Sequence, residues 1–264
     1  STRPRHRGEP AMTSFDRAAE YYDATRALPA EIAAALTELL TAELEGRGRS
    51  LEIGVGTGRI AIPLQARGLS LVGADISAAM LDRLVRNAGG THPFPLLLAD
   101  AGRMPLATAS MGAVLASHVL HLLPDWRRAV DEALRVLGDG GVLLADFGVH
   151  PVAPWNEAAE AHFHRHGIER VRPGVSDPDE VAEHLGSRVS VRPLRPLTMR
   201  TTRSLAQDLA DWEQQTHSWT WAYPNGQLLA ACRDIRRWAR RARWPLGEEF
   251  PLERTLQWWA FDRR

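Results

Sequence analysis

Leu51-Glu-Ile-Gly-Val-Gly-Thr-Gly-Arg59 places glycines at 54, 56 and 58 directly after a short apolar run. Without Cβ atoms the backbone can turn tightly there and a ligand can approach it closely. The spacing is G-x-G-x-G, which departs from the G-x-G-x-x-G fingerprint of dinucleotide-binding loops. Asp75 follows where a carboxylate can accept hydrogen bonds from a ribose diol, and its local alternative is a helix N-terminal carboxylate in Asp75-Ile-Ser77. Asp100, in Leu98-Ala-Asp-Ala-Gly102, can accept from an adenine amino group while the N–H of Ala101 donates to the ring; its alternative is a turn residue. His118 and His121 lie just past the apolar run that ends at Ser117. An imidazole titrates near neutral pH, so either can serve as a general base, with packing or capping beside Pro124 as the alternative.

Other chemistries are closed to this chain. All 32 basic residues are Arg, and no Lys is present. That removes Schiff-base and pyridoxal-phosphate chemistry, the P-loop lysine and a Tyr/Lys reductase pair. Cys232, the single cysteine, excludes an intrachain disulfide, a Cys-rich zinc site and a cysteine-ligated iron–sulfur cluster. His162, His164 and His166 include an i, i+4 pair, but no carboxylate or Cys accompanies them at ligand spacing, so no metal is expected. The arginines between 233 and 243 read as an ion-paired helix face rather than a nucleic-acid surface, because the formal net charge is zero. No apolar run approaches a membrane span, and residues 1–12 read as a polar disordered tail without a signal-peptide core, so a cytoplasmic protein is expected.

The elements that must position these residues alternate. A helix is expected from Pro29 to Glu45, then strands at 51–53, 69–74, 94–99, 111–117 and 142–147, with helices at 59–66, from the Ser77 cap, and at 125–137. Gly138-Asp-Gly-Gly141 is expected to end the 125–137 helix before the fifth strand. Strands buried on both faces and alternating with helices imply a parallel doubly wound sheet, whose carboxyl ends share one edge. Gly54, Asp75, Asp100 and Ser117 all fall at such ends. Beyond residue 150 the pattern loosens: helices are expected at 156–166, 204–216 and 227–243, and strands at 188–199 and 256–261. Eight of the nine Trp lie in this part.

Leu51 to Gly58, Gly73 to Leu81, Ala99 to Pro105, His118 to Asp125 and Arg135 to Gly141 together resemble, in order, the motifs of class I S-adenosylmethionine-dependent methyltransferases. The branch they resemble acts on small molecules, such as trans-aconitate and quinone precursors. Phe15 to Asp23 is similar to the lead-in helix of that branch. The resemblance implies an α/β, Rossmann-like doubly wound, mostly parallel seven-stranded sheet with a helical cap. It implies a cofactor core over 13–150, with 151–264 supplying the remaining strands (near 188–199 and 255–262) and the cap.

It also implies a site. S-adenosyl-L-methionine, with S-adenosyl-L-homocysteine as product, would lie with its methionine end against Glu52, Gly54, Gly56 and Gly58. The ribose would lie on Asp75 and the adenine between Ile76, Met80, Asp100 and Ala101. Ser117 would face the sulfonium, and Tyr22 and Arg26 would close over the carboxylate. His118 or His121 would act as base, and Trp155, Trp219 and Trp221 would line the acceptor pocket. The expected reaction is methyl transfer to oxygen or nitrogen of a small-molecule acceptor by a monomer or homodimer, without nucleic acid or membrane. The alternatives are an S-adenosylmethionine-binding protein without transfer and a nicotinamide-dependent oxidoreductase, the latter opposed by the glycine spacing and the missing Lys.

Overall fold

The computed structural model describes residues 28–148, 152–170 and 172–264. Tyr22, Arg26, the lead-in segment and the 1–12 tail lie outside the described residues. Helix α1 (Ala30–Leu44) precedes β1 (Ser50–Ile53), α2 (Ala61–Ala66), β2 (Leu71–Asp75), α3 (Ala78–Asn87), β3 (Leu96–Leu98), β4 (Met111–Ala116), α4 (Trp126–Val136) and β5 (Leu137–Asp146). There follow α5 (Asn156–Arg165), α6 (Pro178–Leu185), β6 (Val189–Pro193), β7 (Leu197–Arg203), α7 (Leu205–Glu213), α8 (Asn225–Arg241), β8 (Phe250–Leu256) and β9 (Trp258–Arg263).

Seven strands form one sheet in the order β3-β2-β1-β4-β5-β9-β6, and only β9 runs against its neighbours. Alternation along each strand feeds two cores. Leu51, Ile53, Val114, Leu143 and Phe261 pack on one face with Trp126, Val130 and Leu134 of α4 and with Val181 and Leu185 of α6. Leu71, Leu115, Leu144, Trp258 and Ala260 pack on the other with Leu36, Leu40 and Leu44 of α1 and Leu64 of α2. Trp258 and Trp259 thus face opposite sides of the sheet, as the period of a strand requires. The chain leaves β1 towards β2 on one side and towards β4 on the other, and a crevice opens at that switch point.

Three expectations change. Helix α4 stops at Val136, ahead of Gly138 to Gly141 as expected, but the fifth strand begins at Leu137 and not at 142: Met111 pairs with Leu137 and Ala113 with Val142, so the glycine-rich residues bulge within the ladder. The single strand expected at 188–199 is two, with β6 at the edge of the main sheet and β7 paired antiparallel to β8 in a separate two-stranded sheet. The final strand divides likewise, at Gln257, into β8 and β9. Helix α6 was not expected, although Asp177 caps it, Pro178 occupies its first turn, and Val181 and Leu185 sit one turn apart.

The remaining elements build a third core. Trp155, Phe163, Ile168, Leu209, Trp212, Leu228, Cys232 and Ile235 close on one another, and the two-stranded β7/β8 sheet joins it to the main sheet, with Leu252 in the third core and Leu256 in the second. Cys232 is fully buried there, and desolvation pushes its thiol up to about 12.

Candidate functional site

A cleft of about 700 Å³, counted out to its open mouth, lies at the carboxyl ends of β1, β2 and β4. Gly54, Gly56, Asp75, Ile76, Met80, Ala101, Ser117 and His118 line it, with Ala74, Ala99, Met104, Val119, Leu122 and Leu123 completing the wall. Eight residues singled out in the sequence therefore meet in one place. Its mainly apolar lining with a few convergent polar groups suits a small-molecule ligand.

The glycine loop is held open by two constraints. Gly54 (φ +64°) has Val119 so close that an added Cβ would meet Cγ2 at 2.7 Å, and Gly58 (φ +84°) would meet Ile62 at 2.6 Å. Gly56 (φ +54°) has only the Gly54 carbonyl near, at 3.9 Å, so its backbone faces open space. Gly58 does not line the cleft and serves the packing of the following helix instead. Asp75 fixes the loop from below. Gly56 N–H donates to its Oδ2 at 2.8 Å and Ser77 N–H to its Oδ1 at 2.9 Å. Ser77 then caps α3 by accepting from Met80 N–H at 3.1 Å, which brings Met80 to the cleft wall.

Glu52 lies under this floor, fully buried among Arg59, Asp75 and Asp146. Its Oε2 has no hydrogen-bond partner, and desolvation raises its carboxyl to about 8. Asp100 is turned to its own loop. Its Oδ1 accepts from Gly102 N–H at 2.8 Å, and the side chain stays outside the cleft lining, which takes Ala99 and Ala101 from the same strand end. These residues fit a nucleoside with an amino-acid end. The Asp75 carboxylate is oriented at the cleft, a side-chain-free loop adjoins it, and the buried Glu52 carboxyl, which accepts a backbone hydrogen bond from Ala61, lies beside them.

At the end of β4 the backbone enters the left-handed region at His118 (φ 51°), a conformation uncommon outside glycine and a mark of constrained sites. Asp146, at the end of β5, holds the residue in place. Its Oδ1 accepts from His118 N–H at 3.3 Å and Gly148 N–H at 3.2 Å, and stands 3.5 Å from the ring Nδ1. Ser117 Oγ donates to its Oδ2 at 2.9 Å. Burial raises the Asp146 carboxyl above its ordinary range, with the Ser117 bond opposing. The dyad of His118 and Asp146 was half legible. His118 follows an apolar run, whereas Asp146 was passed over, although it ends a strand as Asp75 does. His121 does not line the cleft; its ring meets His118 edge-on at 6.2 Å.

The tryptophans part company. Trp155, expected at the acceptor, is fully buried in the third core and its indole N–H donates to Asp208 at 2.8 Å, so its ring faces the cap and not the cleft. Trp221 is half-buried and donates to the Gln215 carbonyl at 2.6 Å. Trp219, also half-buried, packs edge-on to Phe163. Of the three histidines of α5, His162 is buried against Trp238 and His166 pairs with Asp234 at 3.1 Å. Among the described residues no cluster of His, Cys, Asp and Glu could hold a metal, and no helix is long and apolar enough to cross a membrane.

A methyltransferase-domain family profile matches residues 51–145. The chain is 32% identical over 143 residues to demethylmenaquinone methyltransferase of Clavibacter sepedonicus, covering 52% of this chain and 58% of that one. It is 32% identical over 138 residues to malonyl-acyl-carrier-protein O-methyltransferase of Geobacter sulfurreducens, covering 51% and 52%. The chain thus spans about half the length of these relatives. A SAM-dependent methyltransferase of Thermotoga maritima superposes with a TM-score of 0.52 at 19% identity, covering 95% of this chain and 98% of that one. At that identity the likeness speaks for the fold.

Proposed function

We propose that this chain is a class I S-adenosylmethionine-dependent methyltransferase that methylates an oxygen or nitrogen atom of a small-molecule acceptor, a reading supported by the methyltransferase-domain match over residues 51–145 and by the methyltransferases it is similar to. The observation that carries this reading is the position of the His118–Asp146 dyad on the wall of a cleft built around Asp75 and the glycine loop.

S-adenosylmethionine supplies, when bound, a methyl group activated on a sulfonium. The chain's residues divide the remaining work. Asp75 receives the ribose, while Ile76, Met80 and Ala101 flank the adenine and Asp100 stands at its rim. Gly54 and Gly56 let the methionine end lie against the backbone, and Glu52 meets its ammonium from below. Leu122, Leu123 and Val119 keep water from the wall next to Ser117. With Nδ1 turned to Asp146, His118 carries its proton there and offers Nε2 as the base for the acceptor's O–H or N–H. The buried Asp146 carboxylate then steadies the imidazolium, a partner that offsets its own desolvation.

The test is transfer of labelled methyl to any acceptor found by screening. His118→Ala is expected to lower the rate at saturating substrate about 100-fold or more, with S-adenosylhomocysteine affinity within about twofold of wild type. An unchanged rate contradicts the role of His118.

A further inference from the structure

Arg170 lies in the third core. Its guanidinium carbon stands 5.2 Å from the Phe163 ring, 5.1 Å from Trp212 and 4.9 Å from Trp219. Nε and Nη2 are both buried and neither has a hydrogen-bond partner among the described residues. These two atoms form one edge of the guanidinium, the fork whose parallel N–H groups match the two oxygens of a carboxylate. The nearest acids are otherwise engaged: Asp208 accepts from Arg203 and from the Trp155 indole, and Glu160 is exposed. An unpaired buried cation is costly, and burial lowers the pKa of this one. Three ring faces offset part of that cost but leave the in-plane donors unanswered.

Residues on either side of Arg170 in the sequence are tied to the cap and to the loops beside the cleft. Tyr223 clamps the residue before Arg170, donating to the Glu169 carbonyl at 2.7 Å and accepting from the Glu169 N–H at 2.9 Å. Two residues after Arg170, Arg172 Nη1 donates to the Gly148 carbonyl at 3.4 Å; a Cβ on Gly148 would stand 3.1 Å from His118 Nδ1. Gly174 N–H then donates to the His121 carbonyl at 3.0 Å and Val175 N–H to that of Leu120 at 3.2 Å. The fork and the candidate base are thus joined by one short stretch of chain.

We propose that the Arg170 fork, walled by Phe163, Trp212 and Trp219, is an anion site that takes the carboxylate of a planar, apolar methyl acceptor. Its role as an acceptor subsite rests on the methyl-transfer reading; its binding of a carboxylate does not. Trp219, half-buried on the short turn Ser218–Ala222, is the wall that must swing to admit the ligand.

The experiment is calorimetric titration of the full chain with benzoate, phenyl phosphate and neutral benzamide, each with and without saturating S-adenosylhomocysteine. Benzoate is expected to bind, benzamide to bind at least about tenfold more weakly, and Arg170→Met to weaken benzoate by about tenfold or more. Tighter binding of phenyl phosphate than benzoate overturns the assignment to a carboxylate. Equal benzoate affinity in wild type and Arg170→Met, or no benzoate binding by wild type, overturns the site. Should Arg170→Met fail to fold, Arg170→Lys keeps the charge without the fork, and it is expected to lose the preference for benzoate over benzamide; a preference retained overturns the site. Failure of S-adenosylhomocysteine to bind while benzoate does would overturn the proposed function and leave the anion site standing.

Discussion

The cleft and the cap treat their polar side chains differently. At the strand ends, Asp75 and Asp146 are buried and accept from backbone N–H groups and, at Asp146, from the Ser117 hydroxyl. In the cap, Asp208, Asp211 and Glu213 face Arg203 and Arg236, and the indoles of Trp155 and Trp221 find acceptors inside the same layer. The first two hold the loops that shape the cleft, whereas the ion-paired ones tie the elements of the cap to one another. The cap's aromatic rings complete a core that the cofactor half does not share, and Arg170, with its unanswered fork, is the exception that makes the cap more than a scaffold.

That contrast predicts separable effects. The largest is on stability. Trp155→Ala removes a fully buried ring and leaves Asp208 Oδ2 without its donor, so urea melts should lose about 3–5 kcal/mol. S-adenosylhomocysteine affinity should stay within about twofold; a large fall in affinity would mean that the two halves are coupled. Asp75→Ala should do the reverse, weakening S-adenosylhomocysteine roughly 30-fold or more through lost charge-assisted hydrogen bonds and a freed glycine loop. Calorimetry on the folded variant checks it.

Glu52 gives the effect with the sharpest sign. Its carboxyl is raised by burial to about 8 from an ordinary value of 4.5. Below pH 4.5 the folded and unfolded chains both hold the proton. Between 4.5 and 8 only the folded chain does, so this group's contribution to stability declines by up to about 1.4 kcal/mol per pH unit as pH rises. Thermal melts from pH 5 to 8 should show Glu52→Gln without that component of the slope. An ammonium placed against Glu52 would ionise it, so S-adenosylhomocysteine binding near pH 6.5 should release a proton in wild type and none in Glu52→Gln. Titrations in buffers of different ionisation enthalpy measure this.

The legible parts of the molecule were those with a local signature. The stripe of α4, the Ser77 cap and the glycine loop each declare themselves within a dozen residues, and seven of the expected cofactor contacts met in the cleft. What was missed depends on distant partners. Gly138 to Gly141 looks like a gap ahead of the fifth strand until Met111, paired with Leu137, shows that the ladder begins before it. Trp155 looks like a pocket wall until Asp208, far along the chain, takes its N–H. Asp146 had a positional cue, the end of a buried strand, but its link to His118 exists only once β5 lies beside β4. Arg170 carries no periodic mark at all.

The central claim is that the crevice between β1, β2 and β4 is a site for S-adenosylmethionine. Calorimetric titration with S-adenosylmethionine, S-adenosylhomocysteine and NAD tests it most directly. Binding of both sulfur ligands at one site per chain, abolished or sharply weakened by Asp75→Ala, with no heat from NAD, is the predicted result. Binding of NAD without the sulfur ligands would contradict it.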